Sequence, residues 1–170
     1  VVVEADIFRD GHEQLRAAVV HRPPGGGEVV VPMTQTLNPD RWRAEVPLDR
    51  LGLHELVVEA WVDPWATWRN AVTKKLDAGQ TPEELANDLE IGARLLQRVG
   101  RRPAERPNRD LLFGAANALR DTALPLHARV APALFPAVHA IMTERPVREL
   151  ITRGRSMQVY VDRVRAQFGS

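Results

Sequence analysis

Through residue 62 the chain reads as short runs with a period of two, separated by turns. Val1, Val3, Ala5 and Ile7 alternate with Val2, Glu4, Asp6 and Phe8, the period of two that sends neighbouring side chains to opposite faces of a strand. Asp10-Gly11 interrupts the pattern. Leu15, Ala17 and Val19 open a second run, and Pro23-Pro24-Gly25-Gly26-Gly27 ends it, because proline withholds a donor and glycine supplies the positive φ of a tight reversal. Val29, Val31 and Met33 form a third. Trp42, Ala44 and Val46 face away from Arg41, Arg43 and Glu45, as in a sheet with one wet side. After a turn at 49–52, Leu56, Val58, Ala60 and Val62 restore the apolar face, opposite His54, Glu59 and Trp61. Five short strands in this order predict an antiparallel sandwich and not a βαβ unit.

At Asp63-Pro64 the period lengthens. Trp65, Trp68, Val72 and Leu76 recur at three and four residues, which lines one side of a helix; Asp63 is placed to cap it, Pro64 to open it and Gly79 to end it. Thr81, Pro82 and Glu84 spell a capping box, worth ~1 kcal/mol, ahead of a stripe of Leu85, Leu89, Gly92, Leu96 and Val99. Gly100 and Pro103 stop that helix, and the charged, proline-rich connector through Pro107 is expected to stay exposed. A third helix is predicted from near Asn108 with Leu112, Ala116, Leu119 and Ala123 inward. A fourth is predicted over 131–143 with Leu134, Val138, Ile141 and Met142, its first turn irregular at Pro132 and Pro136. After Pro146 the helical signal fades. Met157, Val159 and Val161 alternate with Gln158, Tyr160 and Asp162, a return to strand before the chain reaches Phe168-Gly169-Ser170. The expected fold class is therefore β + α: an antiparallel β-sandwich in two pieces, 1–63 and 146–170, with a helical bundle over 64–145 inserted between them. Short Leu/Ala helices do not stand alone in water, so their stripes must be covered.

Composition narrows the classes. A length of 170 residues suits one or two domains, and 44% hydrophobic with 26% charged residues describes a folding chain. The absence of cysteine excludes disulfides, a thiolate nucleophile and cysteine-based metal sites. No apolar stretch approaches the ~20 residues that span a bilayer, so no membrane partner is expected. The opening VVVEADIF lacks the features of a secretory signal and starts inside a strand pattern without Met, which reads as an excised piece. A net charge of +1 argues against a dedicated nucleic-acid binder. The charge is unevenly spread: net −5 over 1–85 and net +6 over 86–170, with Lys74 and Lys75 the only lysines.

Residues that carry chemistry are sparse. His12, His21, His54, His127 and His139 form no metal-ligand spacing and read as surface or satisfied histidines. Gly154-Arg155-Ser156 lacks the strand-turn-helix setting of an activated serine. Glu4 with Asp6, and Glu55 with Glu59, are what the wet side of a sheet contains. Glycines 25–27 lead into a strand, whereas a phosphate cradle leads into a helix. No catalytic, cofactor-binding or metal-binding residue is assigned. Arg94, Arg98, Arg101, Arg102, Arg106 and Arg109 cluster with Glu105 as the only acid among them. The first four are candidate ionic contacts, open to three readings: a solvated helix end, ion pairs to a partner domain or subunit, or a phosphate-bearing ligand. Trp61, Trp65 and Trp68, with Val72 and Leu76, are candidate packing between modules; stacking on a sugar ring is the alternative for the indoles.

The tryptophan segment, extended through Asn70-Ala71-Val72-Thr73-Lys74-Lys75-Leu76-Asp77-Ala78-Gly79-Gln80, resembles the amino-terminal region of the maltosyltransferases that elongate α-1,4-glucan from maltose 1-phosphate. Residues 3–12, Val31-Pro32-Met33, Trp42-Arg43-Ala44 and 161–170 keep the order of that family, so the resemblance covers essentially the whole chain. It implies an immunoglobulin-like sandwich carrying an inserted helical bundle, ahead of a (β/α)8 barrel. It further implies a retaining parent enzyme in which a barrel Asp is the nucleophile, a Glu the acid/base and a second Asp a transition-state support; no position here matches those carboxylates. The family's first sandwich strand has no counterpart before Val1, so an open sheet edge is expected. The expected role is a non-catalytic one, bracing the barrel and forming part of a homodimer in the cytoplasm, without a cofactor. A stand-alone α-glucan-binding module is the alternative.

Overall fold

The computed structural model describes residues 1–163: the strand expected from the alternation at 157–162 is present at Met157–Val161, and the end of the 146–170 segment, with Phe168-Gly169-Ser170, lies outside the described residues. The chain divides into two compact units. One takes Val1–Gly11, Leu15–Val62 and the described residues from Glu149; the other takes His12–Gln14 and Asp63–Arg148.

The first unit holds two antiparallel sheets. Strands β1 (Val2–Asp6), β4 (Thr34–Gln35) and β5 (Arg41–Glu45) form the smaller one, in the order β1-β5-β4. The larger runs β3 (Val29–Pro32), β2 (Leu15–Arg22) and β6 (Gly52–Val62), and the far side of β6 carries two short strands end to end. β8 (Met157–Val161) covers the segment from Gly52 to Leu56, and β7 (Glu149–Arg153) covers the segment from Glu59 to Val62. Alternation explains which residues go inside. Val3, Trp42, Ala44 and Val46 from the smaller sheet and its exit share one apolar core with Ala17, Val19, Met33 and Leu56. Arg41 and Arg43 stay on the wet side, where Arg41 bridges Glu4 and Asp6 at 3.2 and 2.7 Å.

Several expectations for this unit are corrected. Six strands, not five, precede Asp63, because the two-residue β4 is too short to show a period. β7 is a further addition: all five of its residues are exposed, so burial imposes no alternation on it. His54 is not opposite Leu56. It shares the parity of Leu56 and is fully buried, while Glu59, expected on the wet side, is 5% exposed. Its carboxylate accepts from Arg153 Nε at 2.6 Å across the β6–β7 pair.

In the second unit, α1 (Pro64–Asp77) starts where Asp63 accepts from the Ala66 amide at 3.0 Å. The capping box forms: the Thr81 amide donates to Glu84 Oε2 at 2.8 Å, and the Glu84 amide to Thr81 Oγ1 at 3.3 Å. A turn at 82–85 separates it from α2 (Ala86–Gly100). A 3-10 turn (Pro103–Asn108), α3 (Arg109–Arg120), α4 (Leu126–Leu134) and α5 (Pro136–Glu144) follow. Leu85, Leu89, Leu96, Val99, Leu112, Ala116, Leu119, Val138 and Met142 all enter one buried core. Helices α1 and α2 approach so closely that a Cβ on Gly92 would stand 2.4 Å from Trp68 Cζ2, and only glycine leaves room for the indole.

Three helical expectations change. Ala123 lies beyond the end of α3 and is exposed. The helix expected over 131–143 is two helices broken at Phe135, whose ψ of 138° is extended, because the ring of Pro136 disfavours the helical region for the residue before it. The connector expected to be exposed buries Glu105, which pairs with Arg145 at 3.6 Å and accepts from Asn108 Nδ2 at 2.9 Å.

Candidate functional site

Hydrogen-bond parity identifies the open edge of the smaller sheet. The Val46 amide donates to Val1 O at 2.8 Å and the Ile7 amide to Asp40 O at 2.8 Å, so the odd residues of β1 bond to β5. The N–H and C=O groups of Val2, Glu4 and Asp6 therefore point the other way. Among the described residues no strand pairs β1 on that side. Glu4 and Asp6 set charge along the edge, a common guard against accidental strand pairing.

Beside this edge lies a cleft of about 390 Å³. One wall is the end of β1 and the residues after it, from Ala5 to Arg9; the floor is Leu15, Val58, Ala60 and Val62; the far wall is Leu150, Thr152 and Gly154 of β7 and its exit. The lining is mainly apolar because the floor carries core-facing residues of β2 and β6 that run out from between the sheets. Trp61 belongs to the lining at a shift of the β6–β7 register between Ala60 and Val62, and bulges of this kind re-aim side chains. Leu150 adopts φ 51°, a strained conformation for a branched residue. Phe8 stands on the rim, 73% exposed.

The sequence-selected residues fall in several places. Trp65, Trp68 and Val72 are buried in the helical core, with Leu76 packed against it. The two indoles stack at 4.8 Å; Trp65 Nε1 donates to His139 Nδ1 at 3.4 Å and Trp68 Nε1 to the Asp88 carbonyl at 2.7 Å. Trp61 is in the sheet unit. Among the four arginines, Arg94 pairs with Glu90 at 3.0 Å and Arg102 donates to the Arg145 carbonyl at 2.6 Å, while Arg98 and Arg101 are exposed. Glu90 also receives two bonds of 2.8 Å from Arg120. Hydrogen bonds from Arg120, and then from Arg94, hold the Glu90 carboxyl down at about 2.

Reasoning from sequence missed the cleft and a buried histidine pair, His21 with His54. The parity of His54 with Leu56 was the available signal for the second. For the first, the apolar pair Leu150-Ile151 after Pro146 marked a further strand. Among the described residues no three His, Cys, Asp or Glu side chains group as metal ligands, and no helix is long and apolar enough to cross a membrane.

Comparison with known proteins adds the following. The family profile described as alpha-1,4-glucan:maltose-1-phosphate maltosyltransferase, domain N/S, matches residues 1–163. The maltosyltransferase of that description from Corynebacterium pseudotuberculosis is 40% identical over 171 residues, taking in 100% of this chain and 25% of that protein. For the Mycobacterium tuberculosis (strain H37Rv) protein the figures are 37% over 194 residues, 100% of this chain and 27% of that protein. For maltosyltransferase 1 of Streptomyces coelicolor they are 38% over 170 residues, 99% and 25%. The chain spans about a quarter of the length of these relatives. The matched region is a non-catalytic amino-terminal one, distinct from the catalytic (β/α)8 barrel.

Proposed function

Because this chain belongs to the domain N/S family of the α-1,4-glucan:maltose-1-phosphate maltosyltransferases, we propose that it braces such an enzyme and takes part in its homodimer. On this reading the whole polypeptide works in the cytoplasm, moving maltosyl from maltose 1-phosphate to α-1,4-glucan at its barrel. The present chain supplies shape and contact and no reacting group.

The observation that carries the proposal is the open β1 edge beside a mainly apolar cleft. Unpaired backbone groups next to apolar side chains favour cover by more polypeptide. The relatives, of which this chain spans about a quarter, have that polypeptide. In the proposed organisation the sheets form an immunoglobulin-like sandwich from 1–63 and 146–170, and the helices over 64–145 are an insertion. Support for it comes from β7 and β8, which return to pair with β6 after the helices. Trp61, Trp65, Trp68, Val72 and Leu76 cluster in sequence at the passage from β6 into α1 and serve as its inter-module packing. Arg94, Arg98, Arg101 and Arg102 are its ionic contacts.

The test uses the full-length enzyme with and without residues 64–145, followed by analytical ultracentrifugation and turnover of maltose 1-phosphate. The proposal expects the deletion to abolish the dimer and depress turnover. A monomer of undiminished activity in both forms overturns it.

A further inference from the structure

His21, one residue from the end of β2, and His54, near the start of β6, bury their imidazoles at 4% and 0% exposure. The rings stack with centroids 5.1 Å apart and planes at 17°. His21 Nε2 lies 2.8 Å from His54 Nδ1, and His54 Nε2 lies 2.7 Å from the carbonyl oxygen of Arg50. A carbonyl only accepts, so His54 carries its proton on Nε2; its Nδ1 lone pair then accepts from His21 Nε2–H. The neutral pair is thus a one-way chain of donors ending on the loop at 47–51. That loop is tied in turn to the β2–β3 turn, where Arg50 Nη1 donates to the Pro24 carbonyl at 3.3 Å. A Cβ on Gly26 would meet the same guanidinium nitrogen at 2.6 Å.

The surroundings offer little to balance a positive charge. The cross-strand partners of His21 are Val29 on β3 and Leu56 on β6, and that of His54 is Val159 on β8. Residues of β5 facing the core, Trp42 and Ala44, are apolar. Arg22, next to His21 and facing outward, pairs with both Glu28 and Glu55. Asp49 of the loop is the carboxylate that favours a charged His21. Burial is the larger influence, followed by His54, and together they hold the His21 imidazole below its ordinary value of 6.5.

We propose that the His21–His54 pair is an acid-released latch, which clasps the 47–51 loop and the 23–27 turn when neutral and frees that end of the sheets when it takes up protons. One proton on His21 Nδ1 leaves the donor chain intact but puts a charge in an apolar interior. A proton on His54 Nδ1 sets two N–H groups against each other and breaks the chain. Because the folded His21 value is depressed, the open form binds more protons than the closed one. The clasp is complete above 6.5 and is lost as the pH falls through and below that value.

The test is residue-resolved amide exchange of the 170-residue chain, one pH unit above and one below 6.5, corrected for intrinsic rates, with NMR titration of both rings. Protection at 21–27 and 47–54 is expected to fall by up to about tenfold per pH unit while the β1–β5 amides hold. The paired substitution His21→Leu with His54→Met is expected to abolish the pH response. The latch is overturned if the His21 ring titrates at the ordinary value in the wild-type chain, if protection falls uniformly through all strands, or if the double variant keeps the response. The wild-type measurements decide the matter even where that variant fails to fold.

Discussion

The helical unit and the sheet unit handle buried polar groups differently. Among the helices, two side chains that reach the interior end on backbone carbonyls: Trp68 Nε1 on Asp88, and Arg129, 9% exposed, on Leu119 with two bonds of 3.0 and 2.6 Å. In the sheets, among the described residues, Trp42 is 3% exposed and its Nε1 has no hydrogen-bond partner, while the Val2, Glu4 and Asp6 backbone groups face an open edge. A helix satisfies its backbone internally and leaves spare carbonyls at its last turn, as at Leu119 in α3, while a carbonyl inside a helix, as at Asp88 near the start of α2, keeps a second lone pair for a neighbour. A sheet satisfies its backbone only through the next strand, so its edge stays unfinished until something covers it. Within each helix the backbone is satisfied locally; the outer edge of β1 is open among the described residues.

The largest test of that contrast is Gly92→Ala. With the new methyl 2.4 Å from Trp68 Cζ2 and 2.8 Å from its Nε1, the α1–α2 contact must open, and a loss of about 3 kcal/mol is expected in urea unfolding followed by helical circular dichroism. A loss below about 1 kcal/mol means the helical interior yields easily, and the contrast fails. Next come two indoles. Trp68→Phe removes a bond of 2.7 Å and leaves the Asp88 carbonyl without it, for about 2 kcal/mol. Trp42→Phe also discards a buried donor that had no acceptor, so its loss should stay under about 1 kcal/mol. Equal losses in the same denaturation assay contradict the difference drawn between the units. At Gly114, inside α3, a methyl group would have no atom within 4 Å; Gly114→Ala is expected to stabilise by about 0.5 kcal/mol, read as a higher urea midpoint. The smallest effect belongs to the half-buried Glu90. Its folded value of about 2 lies below the ordinary 4.5, so its contribution is complete above 4.5 and is lost as the pH falls from 4.5 to about 2. Acid titrations of helix content in the wild type and Glu90→Gln should separate only across that window, below the one in which His21 acts.

Pattern and structure agree best where one face of an element is buried. Trp42, Ala44 and Val46 alternate with charged neighbours, and the Leu85 to Val99 stripe keeps helical spacing; both patterns match the observed cores. The agreement weakens where that condition lapses. β7 is exposed throughout and exists through its pairing with β6, and Phe135 leaves the helical region for a local reason, the ring of Pro136, that the apolar stripe across it conceals. The buried Glu105 escapes a reading by composition, which suggests a wet connector, because its partner Arg145 lies far along the chain.

From residue order alone came the switch of period at Asp63, the cap that starts the first helix, the capping box that closes the turn ahead of the second, the inward Trp65 and Trp68 and the family resemblance, all of which depend on neighbours a few places apart or on motifs in order. The tertiary structure alone placed β7 and β8 end to end on β6, joined β1 to β5 with its other edge open among the described residues beside a cleft, and brought His21 to His54. Each of these joins groups separated by tens of residues. Local sterics and periodicity act along the chain, but which distant backbone edge or buried ring becomes a partner depends on how the whole interior closes.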